Sequence, residues 1–253
     1  NLGHIELPSN IQYIGPRAFG RTSGYLTIGC NLPDYDTFLD SPFNGAYLSS
    51  INIGNSVSKI GKYSLSSIGG TIKEISIGSN VKELGQFAFR STKSMRLLIY
   101  CDLPDLESQS YGPFYQTTLD EIVFAQRVSR LGCNLFDYSG VKKIIIESNL
   151  NEIGSDTFKG FQGDLIIKSN VPDYYKPEDS PFYGLKVHSI EFGTWVNSIG
   201  ENAFNNTSCQ EQLKLLSTLT NIGERAFMGF DGTLYLNYNT LDSEKSSASP
   251  FYK

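Results

Sequence analysis

A hydrophobic pattern that returns eleven times leaves this chain few folds to choose from. Its clearest copy is Ser189 to Phe204, SIEFGTWVNSIGENAF. Seven copies carry an Ile-Gly or Leu-Gly pair five residues before a hydrophobic anchor: Ile14 to Phe19, Ile60 to Leu65, Leu84 to Phe89, Leu131 to Phe136, Ile153 to Phe158, Ile199 to Phe204 and Ile222 to Phe227. Four copies replace the pair with a longer loop ending in Pro-Phe, at Phe43, Phe114, Phe182 and Phe251. The anchors follow one another at 24, 22, 24, 25, 22, 22, 24, 22, 23 and 24 residues. A unit of that size cannot bury its own apolar face, so copies of it must stack into a solenoid.

Each unit opens with two apolar residues two apart, such as Ile5/Leu7, Ile51/Ile53, Ile75/Ile77, Ile122/Phe124, Ile144/Ile146 and Ile190/Phe192. In the long units the pair sits three residues earlier, at Leu26/Ile28, Leu97/Ile99, Leu165/Ile167 and Leu234/Leu236. Alternation at period two predicts a short strand with one buried face. About twenty residues separate successive strands, with no hairpin turn between them, so the strands must pair in parallel, one per coil. Eleven strands and one domain over residues 1–253 are expected. Short units (A) and long units (B) alternate as A-B-A with a super-period of about 70 residues. Neither end resembles a cap, so the chain is expected to be part of a longer protein or to depend on neighbours.

After each strand an Asn-rich turn (Asn10, Asn55, Asn80, Asn149) leads to the Ile-Gly pair, whose glycine predicts a tight bend or a close approach between coils. Segments such as GENAF and GERAF allow one helical or 3₁₀ turn at most. In the long units Asp34, Asp105, Asp173 and Asp242 all lie nine residues before the anchor. Three coils separate each from the next, too far to share a calcium ion, so they read as turn-capping residues.

The units HIELPSNIQYIGPRAF, EISIGSNVKELGQFAF and SIEFGTWVNSIGENAF resemble the BspA-like leucine-rich repeats, which carry the same strand, IG pair and AF anchor. The likeness covers His4 to Lys253. It implies a right-handed, arc-shaped leucine-rich-repeat solenoid with a concave parallel sheet, loops or 3₁₀ turns behind it, and little α-helix. It also implies a secreted or surface-attached bacterial protein that acts as an adhesin or interaction module, with no catalytic motif residue. The four Pro-Phe loops, and Leu65 in place of Phe, depart from the pattern.

Composition excludes several functions. The net charge is -5, and the 21 Lys and Arg are scattered among 26 acids, so no basic footprint for nucleic acid or an anionic membrane exists. No run reaches the ~20 apolar residues of a membrane span, so direct membrane insertion is not expected. No export signal opens the chain, so a surface or secreted protein would have lost it by processing. Cys30 and Cys101 lie three coils apart, ~14 Å by strand spacing against a ~7 Å limit for a disulfide. Cys133 and Cys209 are also three coils apart, and four free, mostly buried thiols are expected. His4 and His188 fall in coils too distant to share a site. No nucleophile elbow, phosphate loop, metal cluster or cofactor motif is present, so no enzyme, metal or cofactor is expected. Trp195 replaces a turn Asn and is read as covering a neighbouring coil, with gripping a sugar as the alternative.

One deviation carries a functional signal. Between the two inward residues of each strand sits one that faces the concave surface: Glu6, Thr27, Asn52, Ser76, Leu98, Val123, Ile145, Ile166, Glu191, Lys214 and Tyr235. Leu98, Val123, Ile145 and Ile166 form an apolar ladder on four consecutive strands. Tyr100 and Ala125 extend it, and Arg96, Glu121, Lys143 and Asp164 give it a charged rim. A bordered apolar strip on a solvent face suggests a contact surface for a protein, either a host or matrix protein or a second copy of the chain. The alternatives are plain strand propensity at an exposed face, and cover by a segment absent from this chain. A glycan-binding surface that uses exposed Tyr residues, and a structural spacer, are the competing functions.

Overall fold

A computed structural model describes residues 3–105, 111–136, 138–154, 156–236 and 249–251. It is a parallel β-solenoid with almost no helix. All eleven expected strands form. Nine make one continuous parallel ladder: Gly3–Leu7, Ser23–Ile28, Tyr47–Ile53, Ile72–Ile77, Lys93–Ile99, Thr118–Phe124, Lys143–Ile146, Asp164–Ile167 and Ser189–Phe192. Leu213–Leu215 and Leu234–Leu236 then pair with each other, also in parallel. The period-two pattern places the paired apolar residues inside: Ile51, Ile53, Ile75, Ile77, Leu97 and Ile99 are all at most 1% exposed. The last strand departs from this, with Leu234 half-buried and Leu236 exposed.

The anchors form a column behind the sheet. Phe89 stacks on Phe114 at 5.3 Å between ring centroids, and Phe114 on Phe136 at 5.0 Å. Phe182 on Phe204 and Phe204 on Phe227 continue it at 4.9 and 5.5 Å. Such pairs add ~0.5–1.5 kcal/mol each beyond burial. The fully buried Leu65 interrupts the column without opening it to solvent.

The wall carrying the anchors is built from turns closed by bonds between residues three apart, within the one helical or 3₁₀ turn at most expected for GENAF and its relatives. Around Phe89, for example, Ala88, Arg90 and Thr92 donate their N–H groups to the carbonyls of Gly85, Phe87 and Phe89. The alternate donors Phe87 and Phe89 reach instead to Gly112 and Pro113 of the next coil. Residues two before and two after the anchor adopt left-handed backbone, as at Tyr63, Ser67, Phe87 and Ser91 with φ of 57°. A helix would spend every N–H within its own coil, whereas this staircase lets half of them bind the neighbour. The 3₁₀ helices that form, Phe38–Asp40 and Pro177–Asp179, lie in long loops.

A second set of short ladders runs through the Ile-Gly pairs, and it is broken into threes. Leu32 bridges Ile60, and Lys59–Ile60 pairs Glu83–Leu84. The same group recurs at Leu103, Leu131 and Ile153, and at Val171, Ile199 and Ile222. Each group begins at a long unit, where Pro33, Pro104 or Pro172 follows directly. Proline lacks an N–H to donate to a further strand. At the first break the loop residue Tyr35 closes the gap, its hydroxyl donating to the Ile14 carbonyl at 2.8 Å.

The loop aspartates do cap, but across coils. Asp34 Oδ1 accepts the Lys62 N–H at 2.7 Å, and Asp173 Oδ1 accepts the Glu201 N–H at 2.7 Å. Asp242 lies outside the described residues. Asn31, Asp102 and Asn170 act in the same way, each accepting two successive N–H groups of the following coil. None of the four cysteines is joined in a disulfide; Cys133 is half-buried and the others are buried. Among the described residues no helix is long and apolar enough to cross a membrane.

Candidate functional site

On the face of the sheet opposite the core, the predicted ladder is in register. Leu98 lies beside Val123, Val123 beside Ile145, and Ile145 beside Ile166. None of the four belongs to the hydrophobic core, because strand alternation turns them away from it. Their exposure is uneven. Leu98, Ala125 and Ile166 are half-buried and Tyr100 is 40% exposed, but Val123 and Ile145 are 3% and 8% exposed. The picture of four equally open side chains is therefore corrected at its centre. Neighbours ~4.8 Å away on both sides, with long charged side chains alongside, cover the two middle residues.

The charged rim is longer than the four residues read from the sequence. It runs across seven coils: Glu74, Arg96, Glu121, Lys143 and Asp164 alternate in sign, and His188, cationic when protonated, and Glu211 continue the row. Arg96 reaches Glu74 at 3.7 Å and Glu121 at 3.0 Å, and Lys143 reaches Glu121 at 3.7 Å. Lys143 is in register with Asp164, and His188 Nδ1 lies 2.8 Å from Asp164 Oδ1. Hydrogen bonds from the Ser189 hydroxyl and from His188 hold the Asp164 carboxyl below its usual range. The bond to Asp164 in turn raises His188. Each exposed pair contributes little alone, but the alternation fixes which charges border the strip. Strand register, which aligns Glu74 with Arg96, was the signal that would have extended the rim.

On the other side, one position beyond each strand, the side chains change abruptly. Gly54 and Gly78 occupy this position in the two coils before Tyr100, and Ala125 occupies it in the coil after. Beside these glycines lies a trough of about 430 Å³ lined by Asn52, Asn55, Ser76, Ser79, Tyr100 and Arg127. A second depression of about 380 Å³ shares Tyr100 and Arg127 and is floored by Leu98, Val123 and Ala125. Sequence reasoning placed Tyr100 here but missed Arg127. The glycine pair beside an aromatic residue was the available signal.

Elsewhere, His4 stacks on Tyr25 at 4.1 Å and meets the Thr27 hydroxyl at 3.2 Å, in a different part of the sheet from His188. Trp195 is 86% exposed, so it does not cover a neighbouring coil. It follows the short residues Gly193 and Thr194 in a turn, which hold it clear of the wall. Among the described residues no group of three or more His, Cys, Asp or Glu could hold a metal ion. The Asp34, Asp102, Asp105 and Asp164 carboxyls are all held below their usual range, so they are ionised acceptors near neutral pH. That arrangement suits holding neighbouring coils together more than moving protons.

The family model for the BspA type leucine rich repeat region matches in six copies, over residues 1–111, 71–173, 107–232 and 175–248. No curated protein matches the chain, and no solved structure does. With the matches running through nearly every coil, the chain belongs to the BspA type leucine-rich repeat family.

Proposed function

We propose that the chain is a non-enzymatic protein-interaction module, displayed at a cell surface or secreted, that binds a protein through the outer face of its sheet. The observation that supports this most directly is the in-register apolar ladder lying outside the core and bordered by an alternating ion ladder. Strand propensity favours the β-branched Val123, Ile145 and Ile166, but it does not explain Leu98 or an unbroken apolar file that ends beside the 40% exposed Tyr100. Val123 and Ile145 form the floor, while Leu98, Tyr100, Ala125 and Ile166 offer the accessible edges. The rim charges, already paired in the free protein, set the orientation of a partner. Host or matrix proteins, or a second copy of the chain, are the partners this surface suits.

The test combines surface plasmon resonance on immobilised matrix proteins with light scattering, on the parent chain and on a variant carrying both Leu98→Lys and Ile166→Lys. Association by the parent, with a matrix protein or with itself, that the variant loses supports the reading. A parent that binds no matrix protein and remains monomeric at high concentration overturns it, as does a variant that associates like the parent.

A further inference from the structure

The trough beside Tyr100 differs chemically from the apolar strip, and we infer that it is a binding site for an acidic saccharide. Its lining contains one charged residue, Arg127, in a protein whose net charge is -5. Arg127 makes no ion pair among the described residues. The Ser76 and Ser79 hydroxyls are spent on the two asparagines beside them, which orients the amides. Asn52 Oδ1 already accepts the Ser76 hydroxyl at 2.8 Å, and Asn55 Oδ1 accepts the Ser79 N–H at 2.9 Å. These bonds fix both amides so that each Nδ2 is left to donate elsewhere. A site rich in free donors and holding one cation selects a ligand rich in acceptors and carrying negative charge.

Tyr100 narrows the class. It is 40% exposed and stacks on no other ring among the described residues, unlike Tyr25 and Tyr63, whose faces are covered by His4 and Phe87. Gly54 and Gly78 line the trough on the side of Tyr100 toward the preceding coils. A free aromatic face beside fixed amides matches the two surfaces of a pyranose, apolar C–H on one side and hydroxyls at the edge. The guanidinium presents a planar fork of donors that fits a carboxylate in two parallel bonds. The trough volume, about 430 Å³, accommodates one or two sugar rings.

The site is separable from the protein-contact strip. Arg127, Asn52 and Asn55 lie outside it, and only Tyr100 is shared. Isothermal titration calorimetry on the whole chain compares sialyllactose with lactose and trigalacturonate with a neutral galactose trimer. At least one acidic sugar should bind roughly tenfold or more tightly than its neutral counterpart, and added salt should weaken it. Arg127→Ala should remove that preference, Arg127→Lys should restore part of it, and Tyr100→Phe should bind better than Tyr100→Ala. Ile166→Lys, at the far end of the strip, should leave sugar affinity unchanged, so loss of the protein-contact reading would not affect this one. The inference is overturned if acidic and neutral sugars bind alike. It is also overturned if Arg127→Ala keeps the preference, or if a tetraglutamate peptide competes as well as the acidic sugar, which would make the trough a general anion site.

Discussion

Asp105 of one coil accepts the backbone N–H of Cys133 in the next at 3.0 Å, and the same carboxylate pairs with Arg130. The Cys133 N–H and the Arg130 guanidinium hold its carboxyl below the ordinary 3.8. A lowered carboxyl stabilises the fold above its unfolded value and loses that contribution as pH falls through the folded one. Asp105→Ala should therefore cost about 1 kcal/mol near neutral pH, as loss of a backbone cap does elsewhere, and the difference should shrink in acid. Urea denaturation at pH 7 and pH 3 reads both. Asp36→Ala, exposed and two residues past the equivalent Asp34, should change stability by less than about 0.5 kcal/mol.

The repeated Ile-Gly pair hides two different physical situations. A Cβ built on Gly61 would overlap the Pro33 carbonyl of the preceding coil, and backbone cannot yield as a flexible side chain can. At Gly15 the nearest atoms are on the Tyr13 ring, 3.8 Å away, an ordinary contact. Gly61→Ala should therefore destabilise by roughly 2 kcal/mol or more, while Gly15→Ala should be near neutral. Paired thermal melts decide it, and equal effects would show that the bend and not the close approach requires glycine.

These cases show what the sequence made legible and what it did not. Periodicity placed the eleven main strands, because burial acts on alternate residues and leaves a mark such as Ile51/Ile53 or Leu97/Ile99, but the two-residue ladders through the Ile-Gly pairs carry no such alternation and were not placed. The Ile-Gly glycines signalled a close approach without saying to what. The left-handed turns at Tyr63 and Phe87 were invisible, since inter-coil hydrogen bonds, and not the local residues, impose them. For the candidate site, the residue between the two inward positions of each strand fixed the ladder, but its coverage depended on neighbours from adjoining coils. Val123 reads as exposed by alternation and is covered by its surroundings. Arg127 was missed because it lies outside the strand alternation, and the glycine pair Gly54 and Gly78 beside Tyr100 was the only mark of its trough.

His188 and Asp164 supply a pH signature for the ion ladder. His188 is raised above the ordinary 6.5 chiefly by its hydrogen bond to Asp164, and Asp164 is lowered below 3.8 by Ser189 and His188. A raised histidine contributes stability that is full below its unfolded value and lost as pH rises through the folded one. The pair is thus fully formed between about 3.8 and 6.5 and weakens on either side. NMR titration should find His188 above 6.5 in the parent chain and lower in Asp164→Asn. An unchanged midpoint in that variant would show that the contact at 2.8 Å does not persist in solution.

Val123 and Ile145 give the sharpest test of the outer face, because their burial comes from side chains beside them and not from the core beneath. Lysine at either position keeps a path to water along its own aliphatic stem, next to the Glu121 and Asp164 carboxylates of the rim. Ile144, one residue away and 1% exposed, points into the core, where a lysine would have no such path. The double variant Val123→Lys with Ile145→Lys should therefore stay folded by circular dichroism, at a cost of about 1–3 kcal/mol from lost apolar cover. Ile144→Lys alone should unfold the chain or come close to it. Leu98→Lys, at the half-buried end of the strip, should cost less than the double variant. If the double variant unfolds like Ile144→Lys, the strip is a second core and not a contact surface. If it melts with the parent yet loses partner or self-association by light scattering, the ladder's apolar character serves binding, and the fold's own stability does not require it.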